Sequence, residues 1–352
     1  MEIFEPGYIA LYQSGELARR AKTLETRLTS CDICPRGCSV NRLEGQLGFC
    51  QSAFLPIVAS YCVHHGEEPA LSGTGGSGTI FFGNCTMRCV YCQNYQISQD
   101  AKNQQSNEVS VRILAEQMLS LQESGCHNIN LVTPTHFVPQ ILRALLEAVP
   151  KGLRLPLVYN TNGYDSINVI RALDGIVDIY LPDLRYASEE VGREFSRIRD
   201  YPDRARESIK EMYRQAGDLV VDSMGVAQRG VIVRHLILPN RLAGSGESLA
   251  WLAKDVSPSV TVSIMSQYYS AYRAPSFPAL ARKITLSEYR EVVELVNRLG
   301  LENGWLQGMD SAENYLPDFD REGHPFDYTR GKPLDSAVGS ERAAQGNSKS
   351  VR

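Results

Sequence analysis

Six short apolar runs, each followed by sequence of helical period, restrict this chain to a parallel α/β architecture. They are TIFFG (79 to 83), NINLVT (128 to 133), LPLVYN (155 to 160), VDIYLP (177 to 182), GVIVRHLIL (230 to 238) and VTVSIM (260 to 265). Runs this short and this continuously apolar suit strands covered on both faces. The segment SVRILAEQMLSLQESG puts Val111, Leu114, Met118 and Leu121 on one helical face, with Ser110 as N-cap and Gly125 at the end. A last helix opens on Thr285 and Glu288 at capping-box spacing and turns Val292, Val293, Val296 and Leu299 inward. Such units predict a parallel sheet with right-handed crossovers, as an open doubly wound sheet or a partial barrel. In both, chemistry belongs at the C-terminal ends of the strands.

The loop GNCTMRCVYCQNYQIS, Gly83 to Ser98, sits at such an end and carries Cys85, Cys89 and Cys92 as C-x3-C-x2-C. A four-iron cluster is normally held by one thiolate per iron, so three thiolates leave one iron open. Closed structural metal sites use every position on protein, whereas catalytic ones keep one free. With Tyr91 ahead of the last cysteine and a strand before the loop, this pattern resembles the signature of the radical S-adenosylmethionine superfamily. CVYCQNYQIS, VTPTHFVPQIL, VYNTNGYDS, YLPDLRY and VIVRHLILPN resemble activating enzymes of glycyl-radical proteins, in particular pyruvate formate-lyase-activating-enzyme-like proteins. The similarity runs from about Cys31 to Leu299.

That resemblance implies an α/β fold, a partial (β/α)6 TIM-like barrel. It also implies a 4Fe-4S cluster on Cys85, Cys89 and Cys92 whose open iron chelates S-adenosylmethionine. One electron then cleaves the cofactor to methionine and a 5'-deoxyadenosyl radical, an oxidoreductase chemistry carried by cofactors that the protein orients. By motif, Tyr91, Asn160, Asn162, Asp183 and Arg185 line the cofactor pocket, Arg234 faces the cofactor carboxylate, and Gln267 lies beside the adenine. Activating enzymes place Gly-Gly-Glu after the second strand, where this chain has Thr133, Pro134, Thr135 and His136, so Thr133 and Thr135 substitute there. Arg185 stands where those enzymes have lysine, which replaces a point charge with a planar fork.

Ahead of the barrel, CDICPRGCSVNRLEGQLGFC spaces Cys31, Cys34, Cys38 and Cys50 as C-x2-C-x3-C-x11-C. Four thiolates suit either zinc or a second 4Fe-4S cluster, and an electron relay favours the cluster. The reading as metal ligands rests on compartment. Nothing at the N-terminus resembles a secretory signal, and no uncharged apolar run approaches the ~20 residues that cross a bilayer, so the expected location is cytoplasmic with no membrane partner. Disulfides are rare there, and seven of the nine cysteines fall in the two groups. Cys62 and Cys126 read as small buried hydrophobes.

With 43% hydrophobic and 22% charged residues among 352, the composition excludes disorder over the whole length. A net charge of -4 and pI near 5.9 disfavour nucleic acid as a partner. The glycine-rich LSGTGGSG (71 to 78) matches a dinucleotide fingerprint but precedes a strand, so it reads instead as a junction. Residues 1–75 then form an N-terminal helix and cysteine knuckle, 76–308 the barrel, and 309–352 a tail disordered from about Ser336. HHGEEP, with His64, His65, Glu67 and Glu68, reads equally as a solvated loop or as a hard-metal or proton-transfer site. Residues 188 to 215 read as a solvated helical face in preference to a docking surface.

The expected function is a radical enzyme that abstracts hydrogen from a protein or peptide partner. Its electron donor would be a flavodoxin or ferredoxin. The alternatives are radical modification of a small metabolite and a non-catalytic zinc or electron-transfer module.

Overall fold

The computed structural model describes residues 4–309, 317–321 and 324–326, so the tail expected to be disordered lies outside the described residues. Strands are β1 (Val58–His64), β2 (Ser77–Phe82), β3 (Ile129–Val132), β4 (Leu157–Thr161), β5 (Ile179–Pro182), β6 (Val220–Val221), β7 (Ala227–Leu236), β8 (Thr261–Met265) and β9 (Gly304–Leu306). One sheet joins them in the order β1-β2-β3-β4-β5-β7-β8-β9, with β6 paired to β7. The six expected strands are β2, β3, β4, β5, β7 and β8, and they run parallel. To these the structure adds an antiparallel β1 at one edge and a short parallel β9 at the other.

Helices Val111–Glu123, Val138–Ala148, Ile167–Ala172, Tyr201–Ala216, Ser245–Trp251 and Leu286–Arg298 follow the six strands. Their ends form as the sequence dictates. The Ser110 hydroxyl accepts from the Ile113 amide at 3.2 Å, and Thr285 with Glu288 closes a complete capping box.

Each strand presents its side chains alternately to two environments. Ile80, Phe82, Ile129, Leu131, Tyr159, Val233 and Ile264 join the large core beneath the helices. Their neighbours Val158, Ile179, Leu181 and Ile232 face the lumen, where they form a separate apolar cluster with Ala70 and Leu71. Those last two belong to the short helix Pro69–Ser72, which connects β1 to β2 and plugs the lumen. The Leu71 carbonyl accepts from the Asn128 amide at 2.9 Å, which fastens the plug to the barrel wall. On the other side Phe319 and Phe326 pack on Phe81, with ring centroids 5.3 and 6.1 Å away. Among the described residues no helix is long and apolar enough to cross a membrane.

The plug generates a stability prediction. Leu71 is fully buried, so Leu71→Ala is expected to cost about 2–5 kcal/mol. Exposed Leu43→Ala should stay within about 0.5 kcal/mol. Denaturant midpoints at unchanged slope check this, and equal midpoints for the two variants would contradict the buried plug.

Candidate active site

The cysteine loop leaves β2 at the C-terminal mouth and is tied down by its backbone. The Asn84 amide donates to Ile97 O at 2.7 Å, Val90 N to Phe195 O at 2.8 Å, and Arg273 N to Val90 O at 2.9 Å. The Arg88 guanidinium gathers the carbonyls of Cys85, Met87, Ser98 and Phe49. Few loop carbonyls are therefore left to compete for a metal.

Each sulfur has a polar neighbour. Cys85 Sγ accepts from the Met87 amide at 3.3 Å and from Asn162 Nδ2 at 3.4 Å. The Ser196 hydroxyl donates to Cys89 Sγ at 3.0 Å and is itself 2.6 Å from the Tyr186 hydroxyl. Cys92 Sγ lies 3.1 Å from Ser98 Oγ. Burial, then the nearby Cys89, raises the Cys85 thiol and pushes that of Cys92 up to about 12. Three thiols this close disfavour one another's ionisation, and a bound metal must displace their protons. Donors aimed at sulfur suit thiolates that ligate iron, so the residues fit the cluster that the spacing implies.

Below the loop lies a ring of charged side chains. Arg234 Nε donates to Asp183 Oδ1 at 2.8 Å and Nη2 to Asn160 Oδ1 at 2.6 Å, while Nη1 stands 3.8 Å from Glu67 Oε2. Arg185 also pairs with Asp183, and its own Nε is buried without a partner among the described residues. The Tyr201 hydroxyl donates to Asn162 O at 2.9 Å and Asp183 O at 2.8 Å. Gly163 makes this approach possible: its φ is +80°, and a Cβ there would meet Asp183 O. Burial, then Glu68, pushes the Glu67 carboxyl up to about 7 against the pull of Arg234.

Cys31, Cys34, Cys38 and Cys50 line one small cavity together with Arg42 and His136. Burial raises the Cys34 thiol, and Cys50, Cys31 and Cys38 add to it, so the four sulfurs lie near one another. Arg42 is 1% exposed and spends its donors on Ala53 O, His136 O and Cys31 Sγ, the last at 3.9 Å. No carboxylate pairs with it among the described residues. His136 Nε2 donates to the Gly83 carbonyl at 3.0 Å, and Nδ1 is buried without a partner among the described residues. Among the described residues, no group of three or more His, Cys, Asp or Glu side chains is arranged to hold a single metal ion.

The knuckle docks on the cysteine loop. Arg36 Nε donates to Thr86 O at 3.1 Å and Nη1 to Arg197 O at 2.8 Å, while the guanidinium stacks 3.7 Å from the Phe49 ring. Asn84 Nδ2 donates to Gln51 O at 3.0 Å and Ser52 Oγ at 3.1 Å.

Of the residues singled out in the sequence, Asn160, Asp183, Arg185 and Arg234 therefore meet in one network, and Asn162 touches Cys85. The Tyr91 hydroxyl donates to that of Tyr186 at 2.5 Å. Gln267 is fastened by its carbonyl to Gln93 and by its amide oxygen to Gln307. Thr133 adopts φ +59° and donates its amide to Asn160 O at 2.8 Å. Thr135 spends its hydroxyl on Asp165, which also binds Tyr159 and Thr161. Sequence reasoning passed over Ser196, Tyr186, Arg42 and Asp165, which carry no spacing signal.

A family model described as the radical SAM superfamily matches residues 79–227. The chain is 30% identical over 283 residues to the uncharacterized protein MJ0674 of Methanocaldococcus jannaschii, covering 78% of this chain and 76% of that protein. Solved structures with similarity include Streptococcus suis SuiB bound to precursor peptide SuiA, at 12% identity and TM-score 0.43, covering 69% of this chain and 51% of SuiB. HydG, a maturase of the FeFe hydrogenase, matches at 10% identity and TM-score 0.41, covering 63% and 48%. Methylornithine synthase PylB matches at 16% identity and TM-score 0.40, covering 76% and 80%. The chain spans about half the length of SuiB and of HydG.

Hydrogen bonds to ligand sulfur raise a cluster's reduction potential. Ser196→Ala in cluster-loaded protein is expected to lower the potential relative to wild type, read by an EPR-monitored redox titration. An unchanged or higher potential would show that the hydroxyl does not act on the cluster.

Proposed function

The chain belongs to the radical SAM superfamily, and on that premise we propose that it abstracts hydrogen from a protein or peptide partner, as an activating-enzyme-like oxidoreductase. The observation that carries this reading is the setting of Cys85, Cys89 and Cys92, buried at the barrel mouth, with Asn162, Ser196 and Ser98 beside their sulfurs. Cys85, Cys89 and Cys92 would hold a 4Fe-4S cluster, which with S-adenosylmethionine would supply reductive cleavage and hydrogen-abstraction chemistry at the barrel mouth. The motif resemblance to activating enzymes supports the protein partner.

The chain's own groups bind and orient. Arg234 offers a guanidinium already held by Asp183 and Asn160 to the cofactor carboxylate. The unpartnered Nε of Arg185 is a donor that a ligand would satisfy. Tyr91, Thr133, Asn162 and Gln267 complete the pocket, with Thr135 positioned behind it through Asp165.

Cys31, Cys34, Cys38 and Cys50 would hold a second metal centre, a 4Fe-4S cluster in preference to zinc, which would supply an electron relay to the first. Arg42 supports this reading: a buried guanidinium with no carboxylate beside it is expensive unless an anion is at hand, and thiolates on a metal supply one. The Arg36 contact to Thr86, next to Cys85, joins the two sites directly. Arg197 and Arg273 line a cleft beside the loop, which suits an acidic donor such as a flavodoxin or ferredoxin. Modification of a small metabolite is the second reading, favoured by polar side chains buried deep in the lumen, Asn130 and Glu68.

Metal analysis of anaerobically loaded protein is expected to give about eight irons per chain, and about four in Cys34→Ala. Zinc in the knuckle, or the same iron count in both, would overturn the relay. Protein fractions from cells grown in deuterated medium should pass deuterium into 5'-deoxyadenosine. Transfer from the small-molecule filtrate alone would overturn the protein partner.

A further inference from the structure

We propose that Glu67, Glu68 and Asn130 form a site in the barrel lumen for an ammonium or guanidinium group of the substrate. This rests on the radical reading above, in which substrate meets the cofactor inside the barrel.

The plug helix carries the acids into place. Its Ala70 and Leu71 pack among Val158, Ile179, Leu181 and Ile232, so the two residues just ahead of it, Glu67 and Glu68, are drawn to the lumen as well. Glu67 reaches within 3.8 Å of Arg234, which lies on β7, five strands along the sheet from β1. The HHGEEP stretch is therefore part of the barrel interior and not a solvated loop at Glu67 and Glu68.

The charges there do not balance. Asp183, Glu67 and Glu68 face Arg185 and Arg234, three carboxyls against two guanidiniums. Asp183 takes both guanidiniums at close range, and Asn160 takes another Arg234 donor at 2.6 Å. Among the described residues, the cation nearest Glu67 is Arg234, at the longer distance of 3.8 Å. The carboxyl of Glu67 responds to this shortage, since burial and Glu68 lift it.

Two further groups in the same place lack partners. Glu68 Oε2 is buried with no donor among the described residues. Asn130 is 0% exposed, and among the described residues its amide oxygen and nitrogen meet no partner in full hydrogen-bond geometry, although the amide stands near enough to Glu67 to stabilise its carboxylate. Its neighbours Ile129 and Leu131 belong to the core under the helices, so strand alternation turns Asn130 to the lumen. Buried acceptors without donors are costly, and native structures rarely keep them without a purpose. A cation with several N–H donors satisfies the carboxyls and the amide oxygen together, and offsets the excess negative charge.

The test uses cluster-loaded protein with S-adenosylmethionine, titrated with N-acetyl-lysine methylamide and with n-butylammonium. N-acetyl-norleucine methylamide and n-butanol are the uncharged counterparts. Both charged probes are expected to bind about tenfold or more tighter than their counterparts, a preference lost in Glu67→Gln and in Glu68→Gln. Tighter binding of the lysine probe identifies a side chain of a peptide as the source, and tighter binding of butylammonium a free amine. Equal binding of charged and uncharged probes by wild type would overturn the site, as would a preference that survives both substitutions. Weakened S-adenosylmethionine binding alone in Glu67→Gln would assign the acid to the cofactor and overturn it too. Failure of wild type to bind S-adenosylmethionine would instead count against the radical reading itself.

Discussion

A thiolate sulfur buried at a strand end needs donors, and much of the barrel mouth is arranged to provide them. Asn162 comes from the end of β4, Ser196 from the helix Glu189–Ser196 that precedes Tyr201–Ala216, and Ser98 from the loop itself. Each is held in turn. The Asn162 carbonyl is gripped by Tyr201, the Ser196 hydroxyl lies against Tyr186, and Tyr186 takes the hydroxyl of Tyr91 from between the cysteines. The cysteine loop is thus fixed by side chains from several βα units, which is how a parallel barrel builds a site at the C-terminal ends of its strands.

Beneath that layer the lumen changes character from sulfur to charge and then to hydrocarbon. Arg185 stands beside Asp183 and near Cys89 and Tyr91, Arg234 links Asp183 to Asn160 and Glu67, and Leu71 closes the bottom with Ile179 and Leu181. The apolar plug lets the acids above it sit away from bulk water, where their interactions are strong. The same connection between β1 and β2 therefore seals the barrel and supplies its negative charge. On the outside, the knuckle shares the loop's support: Arg36 reaches Thr86 and Arg88 reaches Phe49, so the two cysteine groups are locked to one another.

The six parallel strands were legible because a strand covered on both faces must be apolar throughout, and that pattern survives in VDIYLP and VTVSIM. Their ends differ by at most three residues, as at β7, which starts at Ala227. β1 escaped because it is an edge strand with a register shift near Val58 and no clean alternation, and β9 because it has three residues. The cysteines announced themselves by spacing. Arg42 could not, since an arginine in a sequence reads as surface until its surroundings are known. Glu67 and Glu68 stayed open for the same reason: a four-residue helix has no periodicity to show that it is buried.

The most direct measurement is release of 5'-deoxyadenosine from S-adenosylmethionine by anaerobically reconstituted protein under dithionite, comparing wild type with Cys89→Ala. Cluster-dependent release by wild type and none by the variant is the expected result. No release by wild type carrying a full cluster, or equal release by both, would contradict radical chemistry at Cys85, Cys89 and Cys92.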